Sequence, residues 1–329
     1  MKAWQKPFEY MGARYQGGAM PVILKAVCLS AALLFGAVVH AKETHCARQV
    51  FKSMEQLSHT VEQGEFKLWY ATQGKHALPD TQDLNGNGVP DRMDDLLLQL
   101  QAARDFYSDV LHLTPPLHQP RYNQAHTINV YVLAMRKGNG LAFHEPVQSR
   151  PSRKADSEPC GLRIYVNNQL DPSRNLTPAH ELFHLYQYGY AMFKRPWYLE
   201  GMARLMETAF AGPERLQRYQ QVSSGPVSCQ DVVGESYSAV RFWWEQQDAD
   251  AIEIPASLNR LRYTDGTPVF TNQSFKHGEM VKRVLEELGD LSRNTAQSMD
   301  LPSYRWPVRE QGSKDFDAPM CQALAKVLH

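Results

Sequence analysis

Residues 177 to 187 read Thr-Pro-Ala-His-Glu-Leu-Phe-His-Leu-Tyr-Gln, with His180 and His184 four apart and Glu181 between them. Pro178 suits the first turn of a helix. On a helix, residues four apart lie one above the other, separated by about 6 Å along the axis. Two imidazoles so placed can reach one ion, and Glu181 projects beside them. A catalytic zinc lowers the pKa of its water to roughly 7, and a neighbouring carboxylate can hold that water and take its proton as it attacks a carbonyl. The pattern therefore spells metal-assisted hydrolysis, with Leu182 and Phe183 turned into the core.

Two histidines leave a zinc ion short of a ligand. The extended metzincin pattern would place Gly and His three and six residues beyond His184, but Gln187 and Tyr190 stand there, so that class is excluded. The next histidine in the chain is His277, which makes a nearby carboxylate the better candidate. It is offered by Pro196-Trp-Tyr-Leu-Glu-Gly-Met-Ala-Arg-Leu-Met-Glu207, in which Glu200 opens a helical stretch. A plain carboxylate at a helix start, favoured by the helix dipole, is the competing reading of Glu200.

Taken together, HELFH and WYLEGMARLME resemble the gluzincin peptidases, the thermolysin-like and aminopeptidase-containing branch of the zincins. The resemblance implies that His180, His184 and Glu200 hold zinc, that Glu181 is the general base, and that a later tyrosine donates to the oxyanion. Tyr237, at the start of a helical stretch, stands where that tyrosine is expected, although a core tyrosine is the alternative. Fifteen residues separate His184 from Glu200, fewer than in those relatives, so the connection between the two helices is shorter here. Glu207 lies two turns beyond Glu200 on the same face. There it can either hydrogen-bond the far nitrogen of a ligand histidine or pair with Arg204 at the surface.

A second motif lies in Asp83-Leu-Asn-Gly-Asn-Gly-Val-Pro-Asp-Arg-Met-Asp94. Counted from Asp83, oxygen-bearing side chains fall at positions 1, 3, 5, 9 and 12 (Asp83, Asn85, Asn87, Asp91, Asp94), with Gly88 at 6 and Val89 at 7 to offer its carbonyl. That is the order of an EF-hand-type calcium loop, with Asp in place of Glu at the last position. An Asn-Gly turn capping the following helix is the alternative. This segment, followed by a helix and then by HExxH and W-x-x-E-G-x-A, is similar to a family of secreted bacterial metallopeptidases over residues from about 80 to 245.

The elements that must carry these residues are legible in outline. Val50, Phe51, Met54, Leu57 and Val61 suggest an amphipathic helix over 48 to 62. Met93, Leu96, Leu97, Leu100, Phe106 and Val110 mark a longer one that stops before Pro115-Pro116. Ile128 to Met135 and Leu162 to Val166 read as buried strands. The Gly-, Pro- and charge-rich stretch 136 to 160 reads as a long surface loop. Helices are expected over 177–191, 198–210, 236–247 and 278–289, with a last turn near Cys321. The expected fold is α+β and zincin-like: a mixed or antiparallel sheet lobe, 42–176, packed on an active-site helix, and a mainly helical lobe, 177–329. No linker divides 42–329 into separate domains.

Ala26 to Val39 is an uninterrupted apolar run of 14 residues, preceded by Lys25 and followed by His40-Ala41. A spanning helix needs about 20, so residues 1–41 read as a signal peptide cleaved after Ala41, with Met20 a possible true start. Stable membrane insertion is then not expected, and export to the periplasm or beyond is. Removing the leader leaves Cys46, Cys160, Cys229 and Cys321, four scattered cysteines that suggest two disulfides of open connectivity. Formal charge sums to zero; with no basic run, nucleic acid is not an expected partner. A protein or peptide substrate is. Two other readings stay open: a zinc hydrolase of some other amide or ester, and a calcium-stabilised binding protein that has lost turnover. An intact Glu181 argues against the latter, since a binder needs no base.

Overall fold

The computed structural model describes residues 46–50, 52–150, 159–211 and 226–328. All of them belong to one unit spanning 44–329. The proposed leader, Cys28 within it and the alternative start Met20 lie outside the described residues.

Six strands form one mixed sheet: β1 (Ala47–Val50), β2 (His59–Gln63), β3 (Phe66–Tyr70), β4 (Thr127–Leu133), β5 (Gly140–Arg150) and β6 (Cys160–Asn167). Their order across the sheet is β1-β5-β6-β4-β3-β2. The pairs β1–β5, β6–β4 and β4–β3 are parallel, whereas β5–β6 and β3–β2 are antiparallel. The architecture is α+β.

Central β4 is apolar along almost its whole length because both of its faces are covered. Ile128, Val130 and Val132 point into the main core, while Tyr131 and Leu133 join Met54, Leu57 and Trp69 in a second, smaller cluster on the other face. Asn129 shares that second face and is buried, so its amide oxygen is used to accept from the Trp69 indole at 3.1 Å.

That second cluster explains a difference from the sequence reading. Residues 48–62 are not one helix but β1, a 3-10 turn (Lys52–Gln56) and β2. Met54 and Leu57 are buried together, as helical spacing suggests, but Val61 lies on a strand whose neighbours His59–Gln63 pair with Tyr70–Phe66. Three apolar residues cannot separate one turn of helix from a turn followed by a strand.

The main face of the sheet carries the helices. Helix α1 (Asp91–Asp105), extended by a π turn over Phe106–Val110, buries Met93, Leu96, Leu97, Leu100, Ala102 and Ala103. Next comes α2 (Thr177–Tyr190), buried on almost every side. A helix buried all round is expected to be apolar all round, yet α2 carries His180, Glu181, His184 and Gln187. The chain then turns through five residues into α3 (Pro196–Met206), continues through α4 (Val240–Glu245) and α5 (Gly278–Ser298), and ends in α6 (Asp317–Leu324). Among the described residues no helix is long and apolar enough to cross a membrane.

Two disulfides pin the unit, Cys46–Cys160 across the starts of β1 and β6 and Cys229–Cys321 from a short helical turn to α6. Such bonds persist in oxidising compartments. The second holds α6 where Asp317 receives Arg195 Nε at 2.6 Å and Nη2 at 2.8 Å, together with the Trp197 indole at 2.8 Å. Arg195 and Trp197 flank Pro196, so Asp317 fixes the first turn of α3. The pair is nearly buried, and removing Asp317 leaves the Trp197 indole N–H and Arg195 Nε without partners and the guanidinium charge uncompensated, with only the Gly312 and Val233 carbonyls still accepting from Arg195. Asp317→Ala is expected to cost about 3 kcal/mol. Thermal melting should show this as a fall of roughly 6–12 °C, and an unchanged melting curve would count against the clamp.

Candidate metal centre

The start of α2 is held from α1. Gln99 donates to the carbonyls of Pro172 (2.7 Å) and Asn175 (3.1 Å) and accepts from the Ala179 N–H at 3.2 Å. Asn175 Oδ1 takes the Thr177 N–H at 2.9 Å. Two first-turn N–H groups of α2, which have no partner inside a helix, are thus satisfied.

One turn on, His180 and His184 point the same way. Their Nε2 atoms lie 3.2 and 3.6 Å from Oε2 of Glu200, which α3 brings in from the side. Ligand atoms of these three residues all fall within 4.8 Å of one another, a grouping that could hold a metal ion. For a tetrahedral ion with bonds of about 2.0–2.1 Å, neighbouring ligand atoms sit about 3.4 Å apart. The observed separations bracket that value.

The other ring nitrogens are occupied. Nδ1–H of His180 donates to Oε1 of Glu207 at 2.9 Å, and Arg204 Nη1 donates to Oε2 of the same carboxylate at 3.1 Å. Glu207 thus bonds the far nitrogen of His180 and pairs with Arg204 as well, but it does so buried and not at the surface. Nδ1–H of His184 donates to Oε1 of Gln187 at 2.8 Å, and the Gln187 amide donates in turn to the carbonyls of Tyr198 and Leu199, both at 3.2 Å. Since carbonyls only accept, the amide of Gln187 is oriented, and with it the tautomer of His184. Both imidazoles then aim Nε2 at Glu200 Oε2, where a cation would take the place of the proton that His180 Nε2 donates to that carboxylate.

Electrostatics favour a cation at this point. Glu181, Glu200 and Glu207 surround two imidazoles. Burial disfavours the His180 imidazolium, but its hydrogen bonds to Glu200 and Glu207 outweigh burial and raise its pKa to about 10. Burial alone would raise Glu200; His180 and His184 instead hold it well below the usual carboxylate range. Glu181 keeps a raised pKa, because its burial exceeds the opposing pull of the two histidines.

Glu181 faces β5. A Cβ on Gly140 would come within 2.6 Å of Glu181 Cγ and 2.7 Å of its Oε1, so only glycine lets the strand approach this closely. Residues 136 to 160 are therefore not a long loop, since β5 occupies Gly140–Arg150. Its register with β6 shifts between Phe143 and Val147, and β1 pairs only with Val147–Arg150. Over residues 140–146 the outer edge of β5 has no strand partner among the described residues. An edge strand of Gly, Pro and charge is what such exposure selects, and it reads like a loop in the sequence.

A cavity of about 290 Å³ opens beside His180, lined among others by Gly140, Thr177, His180, Glu181, Arg204 and Tyr237. Tyr237 begins a 3-10 turn (Tyr237–Ala239) and is half exposed. Its ring centroid lies 5.8 Å from that of His180 and 5.1 Å from the Arg204 guanidinium carbon. Burial, then the Glu200 and Glu181 carboxylates, push its pKa up, which keeps the hydroxyl a proton-bearing donor.

The second sequence motif folds into an exposed loop away from this cluster. Asp83 accepts the N–H groups of Asn87 (3.1 Å) and Gly88 (2.8 Å), and the amides of Asn85 and Asn87 donate to Asp94 at 3.0 and 2.9 Å. Asp91, the first residue of α1, accepts from the Leu84 N–H at 3.1 Å, and Val89 N–H donates to Asn87 at 2.8 Å. The loop thus gathers Asp83, Asn85, Asn87 and Asp94 at the head of α1.

Comparison with protein-family models, with curated proteins and with solved structures found no match.

Sequence reading had no role for Gln187, Gly140 or Gln99. A polar residue one turn beyond His184, on a helix that is otherwise buried, was the available signal for Gln187. Removing the partner of a ligand histidine typically costs 10–100-fold in metal affinity. Gln187→Ala and Glu207→Ala should each show a loss of that size in a chelator competition with Zn²⁺ as the probe ion. Unchanged affinity in either variant would make that contact a packing detail.

Proposed function

We propose that the protein is a zinc-dependent peptidase of zincin-like build, with His180, His184 and Glu200 as ligands and Glu181 as general base. The convergence of two oriented imidazoles and one carboxylate beside a buried second carboxylate carries the reading. The donor set, two nitrogens and an oxygen with room beside them, is the one catalytic zinc sites use. Zinc bound there supplies Lewis acidity, lowering the pKa of a coordinated water to roughly 7.

The chain's own residues divide the remaining work. Glu181 takes the proton of the attacking water and returns it to the departing amine nitrogen, a task that suits a carboxylate whose pKa is raised by burial. Tyr237, across the cavity, donates its hydroxyl proton in a hydrogen bond to the carbonyl oxygen as charge develops on it. The edge of β5 over residues 140–146, without a strand partner among the described residues, supports a peptide as substrate, because an extended backbone can add to a strand edge through main-chain hydrogen bonds. Export through residues 1–41 is part of the same proposal, and the two disulfides support it.

Calcium at Asp83–Asp94 is proposed as a structural cation. The loop leads directly into α1, whose Gln99 caps α2, so a cation there acts on stability rather than turnover. At a hundredfold excess over Kd, a ligand of the folded state adds about 2.7 kcal/mol. Calcium at constant zinc should therefore raise the melting temperature by several degrees. The double change Asp83→Ala with Asp94→Ala should abolish the rise. Identical curves with and without calcium in the unchanged protein would reduce the loop to an Asn-Gly turn.

The purified protein should carry about one equivalent of zinc and cleave casein. Glu181→Gln should keep the metal and lose about 10²–10⁴-fold in rate, the usual contribution of a positioned acid-base group. Glu200→Ala should lose most of the metal. Cleavage that survives Glu181→Gln, or full zinc occupancy in Glu200→Ala, would overturn the corresponding assignment.

A further inference from the structure

Beyond His184, toward the C-terminal end of α2, aromatic rings lead to a group of basic side chains. Tyr188 stacks on His184 with ring centroids 5.9 Å apart and meets the ring of His144 edge-on, also at 5.9 Å. His144 lies on β5 two residues beyond Ala142, and the Ala142 N–H is close enough to Glu181 to favour its charged form. An extended chain advances about 3.3 Å per residue. A substrate lying along β5 with its reacting carbonyl at Glu181 would therefore bring the group about two residues away to His144.

What gathers there is basic. From the turn Pro120–Tyr122, Arg121 sends Nη1 to the Tyr188 carbonyl at 2.6 Å and Nη2 to Glu145 at 3.2 Å. Lys194, from the link between α2 and α3, holds its ammonium 5.8 Å from the centre of the Tyr188 ring. Among the described residues it has no ion-pair partner. Arg163, on neighbouring β6, is near enough to act on His144. Facing these groups is one carboxylate, Glu145, 3.4 Å from His144 Nε2.

We propose that His144, Lys194 and Arg121 form a specificity subsite that receives a carboxylate of the substrate about two residues from the cleaved bond, supplied by an Asp or Glu side chain or by a C-terminus. The inference rests on the peptidase reading and names the substrate class for it. Crowding supports it. Burial, then Lys194, Arg121 and Arg163, lower the His144 pKa to about 3. Burial, then Arg121, lower that of Lys194 to about 7 against the opposing pull of Glu145. Groups that disfavour one another's charge are relieved by an arriving anion. Arg121 is fixed by its bond to the Tyr188 carbonyl, so Lys194 is the member able to turn toward a ligand.

Zinc-loaded protein and short peptide hydroxamates test this without turnover. One pair in each of two series, with the metal-binding group at the amino or the carboxyl end, carries Glu or Gln two residues away; a further pair ends in a free carboxylate or its amide. The carboxylate member of at least one pair should bind about tenfold tighter, the size of one charge-assisted hydrogen bond. Lys194→Met should erase that advantage without weakening the neutral member, Lys194→Arg should keep it, and Glu145→Gln should enlarge it. The responding pair distinguishes a side-chain carboxylate from a C-terminus. Equal affinities within every pair, or an advantage that survives Lys194→Met, would overturn the subsite and leave the peptidase reading standing. Hydroxamates that fail to bind at all would remove the metal reading and the subsite with it.

Discussion

The molecule is organised around the burial of four polar side chains on one helix. Gln187 is as inaccessible as the leucines beside it, and His180, His184 and Glu181 are buried only slightly less completely. An unpaired polar group in such a place costs roughly 1–3 kcal/mol, and a charged one more. The elements that flank these side chains therefore contribute partners. Helix α3 supplies Glu200 and two backbone carbonyls, the turn after it supplies Glu207, and β5 supplies the edge against Glu181. What remains is a set of three atoms, Nε2 of both imidazoles and Oε2 of Glu200, that converge on one point. A cation that displaced the proton His180 shares with Glu200 would satisfy them together.

The same constraint separates what was readable in the chain from what was not. His180, Glu181 and His184 were legible because helical periodicity puts chemically specific residues on one face within five positions. The central strands were legible because burial on both faces makes β4 and β6 apolar almost throughout. β5 was not: an edge strand bordering a cleft must be polar, must admit Gly140 where a side chain would strike Glu181, and must break register near Pro146. Those requirements give it the composition of a loop. The segment 48–62 failed for a different reason. Met54 and Leu57 bury themselves under the sheet in a 3-10 turn, and that spacing is shared with a helix.

Gln187 belongs to a third kind, residues whose role depends on a partner distant in sequence. Its type says only that it must be satisfied. That it is satisfied by His184 on one side and by the carbonyls of Tyr198 and Leu199 on the other follows from the angle at which α3 crosses α2, and no local pattern encodes that angle. The same holds for Asp317, more than one hundred residues from the Arg195 and Trp197 it anchors.

These two side chains explain how a short connection can bring Glu200 to the two imidazoles. Only five residues, Ala191 to Arg195, join α2 to α3, and so brief a link leaves the second helix little freedom of approach but does not by itself set its rotation. Rotation is set from both sides. Gln187 grips the backbone of α3 at the residues just before Glu200, and Asp317 grips Arg195 and Trp197 one turn earlier. With the axis held at its start and one turn on, Glu200 has to face the imidazoles. A longer connection would need other contacts to do this. Here the residue that orients His184 also positions the carboxylate opposite it, so a shift of α3 disturbs Glu200 and the orientation of His184 together.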